Sequence, residues 1–323
     1  FSVKERPTFD PLIIHVASDD LSELVDYSKL SDLAKTHAEK LMKKFWPGPL
    51  TIVFPKAKKV PDLATSGLDT VAIRMPRHQV ALELIKAVGS PLAAPSANRF
   101  GRISPTTAAA VYSELGDRIP LILEGGNCEV GLESTVVHLA EDGTLTLLRP
   151  GGTPREAIDE CLGIKTTLPA KDANVSSPGM LASHYAPRKP FFVMPARLED
   201  LGAPSRKSEL IRFIFETAIK HKSQANAIKL GFLCIRGDSE WNKQMLSQVL
   251  RETFERAGVA ATLEFTSTLA AKGDLTEAAK NFFAEMRSLD ESTAEILFSE
   301  PCFDPRGLGF AIQDRLKRAS HKP

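Results

Sequence analysis

The stretch STVVHLAEDGTLTLLRPGG (134–152) holds two short apolar runs, 134–139 and 144–148, on either side of Glu141-Asp142-Gly143. A turn this tight joins antiparallel neighbours, so the pair reads as a hairpin. Arg149-Pro150-Gly151-Gly152 ends the second run, and Thr153-Pro154 then starts a helix with proline at its first position. Upstream, short apolar runs at 11–16 (PLIIHV), 50–54, 70–75 (TVAIRM) and 119–123 (IPLIL) predict strands. Helical spacing fills 31–44, with Ser31 placed to cap, and also 78–88 and 106–115. Strands interleaved with helices and closed by a hairpin predict an α/β unit with a mixed sheet.

From Lys165 to about Pro190 periodicity is lost and Thr, Ser, Pro, Ala and Gly accumulate, which reads as an interdomain linker. Beyond it strands at 190–194, 228–235, 261–265 and 294–298 alternate with helices at 206–221, 240–257, 274–287 and 308–319. That alternation requires crossovers and predicts a small parallel three-layer domain.

Of 323 residues, 43% are hydrophobic and 25% charged, and 41 Lys+Arg against 40 Asp+Glu leave a net charge of +1. Two domains with cores of their own fit this size. The charge balance argues against a surface built to grip duplex nucleic acid. No run of about 18 apolar residues predicts a membrane span. Cys128, Cys161, Cys234 and Cys302 form no CxxC pair, which excludes the common zinc and disulfide patterns and suits a reducing, cytoplasmic setting. Walker, GxGxxG, HExxH and GxSxG motifs are absent.

Two clusters with i, i+2 spacing could meet an anion. Lys4 and Arg6 flank Glu5, and in extended backbone both would face one side. Ser96 and Asn98 flank Ala97 after a short strand at 92–94 and would add neutral donors. For either cluster taken alone, a solvated charge pair beside an ordinary turn is the stronger reading. Arg74 shares a strand face with Ala72 among apolar neighbours, so it requires either an anion or an open edge. Arg149 stands just before a helix N-terminus, where guanidinium and free N–H groups both favour an anion, although a plain strand-to-helix turn is the stronger reading of this segment alone. His15, inside the first apolar run, and Ser134 carry no decisive signal by themselves.

Seven segments in order resemble one family. They are KERPTFDPLIIHV (4–16), FWPGPLTIVF (45–54), TVAIRMPRH (70–78), PLAAPSANRFGRISPT (91–106), EGG (124–126), GLESTVV (131–137) and LRPGG (148–152). They are similar to the L-threonylcarbamoyladenylate synthases, whose catalytic domain has the YrdC fold. SPGMLASHYAP (177–187) and GLGFAIQDRLKRAS (307–320) resemble the linker and closing helix of the long form of that family. The implied organisation is a YrdC-like catalytic domain at 1–164, a mixed twisted sheet with a concave cleft. A linker or lid follows at 165–189, then a smaller Rossmann-like parallel α/β domain at 190–323.

The resemblance implies a nucleotidyltransferase. L-threonine and bicarbonate form N-carboxythreonine, which attacks the α-phosphorus of ATP, brought in with Mg²⁺, and releases pyrophosphate. A partner enzyme then transfers the threonylcarbamoyl group to a tRNA adenosine beside the anticodon. By the same resemblance Lys4 and Arg6 act catalytically and, with Thr70, Ser96, Asn98, Ser104, Arg149 and Tyr185, contact ATP. Arg74 would take the threonine carboxylate, with His15 and Ser134 near its amine and hydroxyl. No residue is implied as a metal ligand, and no tight nucleic-acid binding is expected.

Two departures stand out. Asp10 replaces a common Asn, and a carboxylate there would repel phosphate unless it faces away or meets Mg²⁺. The family also begins with a strand and a T-x-T-V-Y-G-L stretch contacting threonine, which is expected to precede Phe1. Rival readings are a carbamoyl-adenylate-forming enzyme of the same fold, which normally carries zinc-finger Cys pairs, and an RNA-binding module.

Overall fold

A computed structural model describes residues 1–169, 184–202, 204–222 and 227–321. The first unit contains β1 (Ile13–His15), α1 (Asp32–Phe45), β2 (Leu50–Pro55), α2 (Asp62–Thr65), β3 (Thr70–Arg74) and α3 (Gln79–Val88). It continues with β4 (Leu92–Ala93), α4 (Ala108–Leu115), β5 (Thr135–Leu139), β6 (Leu145–Arg149) and α5 (Arg155–Leu162). Its six strands lie in the order β4-β1-β3-β2-β5-β6. β1 and β3, and β2 and β5, pair in parallel, while β4–β1, β2–β3 and β5–β6 are antiparallel. The expected hairpin is the last of these, and Gly143, at φ 93°, supplies the left-handed turn residue. Ser31 caps α1 as expected, its Oγ accepting from the Ala34 N–H at 3.1 Å.

Strand alternation decides which face is filled. Leu50, Ile52, Phe54, Val71, Ile73 and Val137 point to the face covered by Ala34, Ala38 and Leu41 of α1 and Ile158 of α5. The intervening Val53, Ala72, Val136 and Leu148 form a much smaller apolar cluster on the other face. That thinly covered face is where the site described below lies.

Residues 119–123 are not a strand. Among the described residues no strand pairs with this run, Pro120 lacks an N–H to donate, and Leu121 and Leu123 stand exposed. Apolar character alone was the signal there, and it needs a partner edge to become a sheet. Pro154 occupies the N-cap of α5 rather than its first turn.

The second unit runs β7 (Phe191–Val193), α6 (Pro204–His221), β8 (Ile228–Arg236), α7 (Ser239–Leu250), β9 (Ala261–Ala270), α8 (Leu275–Glu291), β10 (Ile296–Ser299) and α9 (Gly307–Ser320). Its strand order is β7-β10-β8-β9, all parallel. β9 extends beyond the expected 265, and α7 stops at Leu250, followed by a π-helical turn at Arg251–Glu255.

Leu210 and Ile214 of α6 and Leu246 and Val249 of α7 cover one face of this sheet. Phe282, Phe283 and Met286 of α8 and Ile312 and Leu316 of α9 cover the other, in a cluster that also takes in Ile103, Leu132 and Tyr185. The α8/α9 layer is thus shared between the second sheet and the first unit. Contact is close enough that a Cβ on Gly131 would lie 2.2 Å from the Ala279 carbonyl oxygen.

Within the expected linker, residues 170–183 lie outside the described residues. The part that is described is bonded to both units and does not hang as a plain tether. Thr167 bridges Thr146, and the Ala186 N–H donates to Gly101 at 2.8 Å. The His184 N–H donates to Arg318 at 3.3 Å, while the N–H groups of Arg188 and Lys189 both reach Asp290 Oδ1.

Candidate active site

Above the thinly covered face lies a cavity of about 390 Å³, within the range of small-molecule sites. Arg6, His15, Arg74, Ser96, Ser134, Arg149 and Tyr185 all line it, with an apolar wall that includes Leu84, Ile85 and Pro95. Seven residues singled out from sequence therefore converge from six separate segments.

Arg74 rides the cleft face of β3, opposite His15 of β1 in register. Its Nε donates to the Gly48 carbonyl at 2.9 Å, and among the described residues no carboxylate pairs with it. Burial, and then the charge of Arg149, lower its pKa to about 10. A cation so placed is stabilised by whatever anion enters. His15 is held neutral, its pKa lowered to about 4 by burial and then by Arg74, and its Nδ1 is buried without a partner. Arg149, the last residue of β6, is buried. It donates through Nε and Nη2 to the Ser134 carbonyl and through Nη2 to Ser134 Oγ at 3.1 Å. Ser134 Oγ lies 2.7 Å from Thr51 Oγ1, so its orientation is set on two sides.

Lys4 and Arg6 are not on extended backbone. Residues 2–4 form a 3₁₀ turn and Glu5 takes a left-handed φ of 57°, so the expected common aim by i, i+2 alternation does not apply. Lys4 Nζ instead donates to the carbonyls of Ser96 and Asn98, joining the two sequence clusters physically. Burial, and secondarily Arg6, lower the Lys4 pKa to about 8. Arg6 Nη2 donates to the Pro11 carbonyl at 2.8 Å and sits 2.8 Å from Asp10 Oδ2. Its guanidinium also lies over the Phe100 ring, 5.7 Å from the centroid. Asp10 is fully buried and pairs with Arg6 in charge, though off the N–H direction, so neither of its carboxylate oxygens accepts a hydrogen bond. It faces its arginine and does not line the cavity, which removes the expected clash with phosphate.

Three other expected contacts lie away from the cavity wall. The Asn98 amide is buried and donates to the carbonyls of Arg99 and Arg102, shaping the loop that carries Ser96. Ser104 Oγ donates to Glu133 Oε1 at 2.7 Å. Thr70 starts β3, four residues and therefore about 13 Å along the strand from Arg74, and lines a separate depression with Asp69 and His138.

Sequence reading missed Glu133 and Arg315. Glu133 lines the cavity, and Arg315 of α9, fully buried, reaches its Oε2 through Nε at 3.1 Å. Tyr185 is buried beneath the Arg315 guanidinium, packed on Phe283 and edge-on to His184. The His184 imidazole is kept neutral, with a pKa lowered to about 4 chiefly by burial.

A two-domain α/β frame whose mixed-sheet cleft gathers arginines and hydroxyls around one pocket defines an enzyme that handles anionic small molecules. Residues 1–151 match the Sua5_yciO_yrdC family, described as telomere recombination, and residues 153–321 match the threonylcarbamoyl-AMP synthase C-terminal domain. Threonylcarbamoyl-AMP synthases of Pyrococcus abyssi and Bacillus subtilis are each 36% identical, over 99% of this chain and 83% and 82% of their own lengths. The crystal structure of P. abyssi Sua5 complexed with L-threonine matches with TM-score 0.76 at 33% identity, covering 99% of this chain and 83% of that one. The chain belongs to the threonylcarbamoyl-AMP synthases.

Proposed function

We propose that this cleft joins L-threonine, bicarbonate and ATP into threonylcarbamoyl-AMP. In that reaction a carboxylate oxygen of N-carboxythreonine bonds to the α-phosphorus, the α–β bridging P–O bond breaks, and pyrophosphate leaves. The carbamate is already a nucleophile, so positioning and charge neutralisation carry the catalysis. The observation that supports this reading most is Arg74, a cation in the cavity with no carboxylate partner among the described residues. An amino-acid carboxylate fits it, and the P. abyssi relative was crystallised with L-threonine. His15, neutral and lining the cavity, suits the amine, and Ser134 suits the hydroxyl. Arg6, Ser96 and Arg149 face the same cavity and suit the phosphates, with Lys4 behind them holding the Ser96 loop. Tyr185, carried on the linker, suits the nucleotide's apolar side.

Mg²⁺ would arrive with ATP. Among the described residues no three acidic, His or Cys side chains cluster to hold an ion, and Asp10 and Glu133 are each paired with an arginine. Phosphate oxygens and water would supply its ligands. The product is a substrate for a threonylcarbamoyl transferase acting on tRNA, and a cytoplasmic setting is consistent with both roles. Among the described residues no helix is long and apolar enough to cross a membrane.

The test is labelled bicarbonate incorporation with ATP, with and without L-threonine. Label should enter an AMP-linked product only when threonine is present. Equal incorporation and pyrophosphate release with alanine would remove the threonine assignment.

A further inference from the structure

Two carboxylates of the first unit stand beside the cations proposed to bind ATP. Both are held by arginines of the second unit. Glu114 of α4, buried near Lys4, meets Arg287 of α8 at 3.0 Å, and Arg287 also donates to the Ile103 carbonyl. Glu133, on the cavity wall beside Ser134 and Arg149, meets Arg315 of α9. Arg315 is the most completely enclosed of these four side chains and has two further anchors, the Pro150 carbonyl at 2.7 Å and Asp314 at 3.0 Å.

A negative charge on a pocket wall opposes a triphosphate unless something cancels it. We infer that Arg315 is a positioning residue by which the second domain cancels the charge of Glu133, making the cleft accept ATP. This rests on the reading that ATP binds in that cleft. Glu133 is faced by Arg315 from α9, itself paired with Asp314, by Arg149 from β6, by Ser104 from its loop, and by His184 and Tyr185 from the linker. Burial alone would push its carboxyl up, but Arg315, then Arg149 and the Ser104 hydroxyl, bring it below the usual value. Without Arg315 the first of those counterweights is gone, so Glu133 should titrate higher and its protonation should begin to govern ATP binding.

The test is ATP affinity by calorimetry on the whole chain, from pH 6 to 8.5, for the wild type, Arg315→Met, and Arg315→Met/Glu133→Gln, with melting curves for each. Arg315→Met should bind ATP about tenfold more weakly at pH 8, and the loss should shrink as pH falls. The double variant should regain most of the affinity and lose that added pH dependence. A role in packing alone predicts no rescue, since glutamine restores none of the lost arginine contacts. If Arg315→Met and the double variant bind equally weakly, or if Arg315→Met binds like the wild type, the inference is overturned. Should Arg315→Met fail to fold, Arg315→Gln and Arg315→Gln/Glu133→Gln replace it. Glutamine removes the charge but can still donate to Glu133 or Pro150, so the same loss and the same pH signature are expected, and a flat difference profile overturns the inference equally. A wild type that fails to bind ATP would count against the proposed function instead.

Discussion

Arg6 and Arg74 both face the cleft, yet their surroundings assign them opposite energetics. Arg74 has no carboxylate among the described residues, so its burial is uncompensated until a ligand arrives. Arg74→Met should weaken threonine binding by about 2–3 kcal/mol, roughly thirty- to 150-fold. Stability should hold or rise, because an unpaired buried charge is replaced by a methionine. Calorimetry with threonine and a denaturant melt measure the two signs, and a destabilised variant with intact threonine affinity would reverse the assignment. Arg6 neutralises buried Asp10. Arg6→Ala should therefore cost about 3–5 kcal/mol of stability by stranding that carboxylate. Arg6→Ala/Asp10→Asn should recover most of the stability but not the ATP affinity. If the double variant binds ATP normally, Arg6 serves the fold alone.

At the scale of elements, the hairpin of β5 and β6 does more than close the sheet. It sets Ser134 at one strand's start and Arg149 at the other's end, and Gly151 lets the following turn cross back over them. A Cβ at Gly151 would fall 2.4 Å from the Glu133 carbonyl oxygen and 2.5 Å from the Thr135 nitrogen. Gly151→Ala should therefore spread the Ser134–Arg149 contact and lower both thermal stability and kcat/KM, by at least tenfold for the latter on the usual cost of a displaced site, about 1.4 kcal/mol. Normal turnover would show that the turn can yield. Elements of this kind were legible because the signals were local: alternation, an Asp-Gly turn, a serine cap. The run at 119–123 was misread because pairing is not local. Arg315 shows a signal that was present but not weighed. It occupies the same helical stripe as Ile312, Leu316 and Ala319, and an arginine in an apolar stripe implies a buried partner. Which partner could not be read, since Glu133 lies in the other domain. Tyr185 was legible only through the family resemblance, and its packing against Phe283 makes it part of a shared core as well. Tyr185→Ala should thus weaken the domain contact too.

For the molecule as a whole, the acid response should reflect its neutral buried histidines. His15 and His184 have pKa values lowered to about 4 from the ordinary 6.5. A depressed pKa means the folded state is favoured above 6.5 and loses that advantage as pH falls toward 4. The slope is about 1.4 kcal/mol per pH unit per histidine. Asp10 and Glu300, both raised mainly by burial, act in the opposite sense and gain as pH falls. The difference between wild type and a His15→Gln/His184→Gln variant isolates the histidines. Denaturant midpoints should diverge with pH across 6.5 to 4.5, the variant falling less steeply. Parallel curves would mean that these imidazoles accept protons in the folded state.

The pairing of Arg315 with Glu133 also bears on the order in which the protein is made. A ribosome working at about 5–20 residues per second delivers Lys4 and Arg6 tens of seconds before Arg315. Through that interval the nascent first domain has its cationic cluster but carries Glu133 with no counter-charge from α9. An unfinished chain should therefore be a poorer binder of ATP than the finished one.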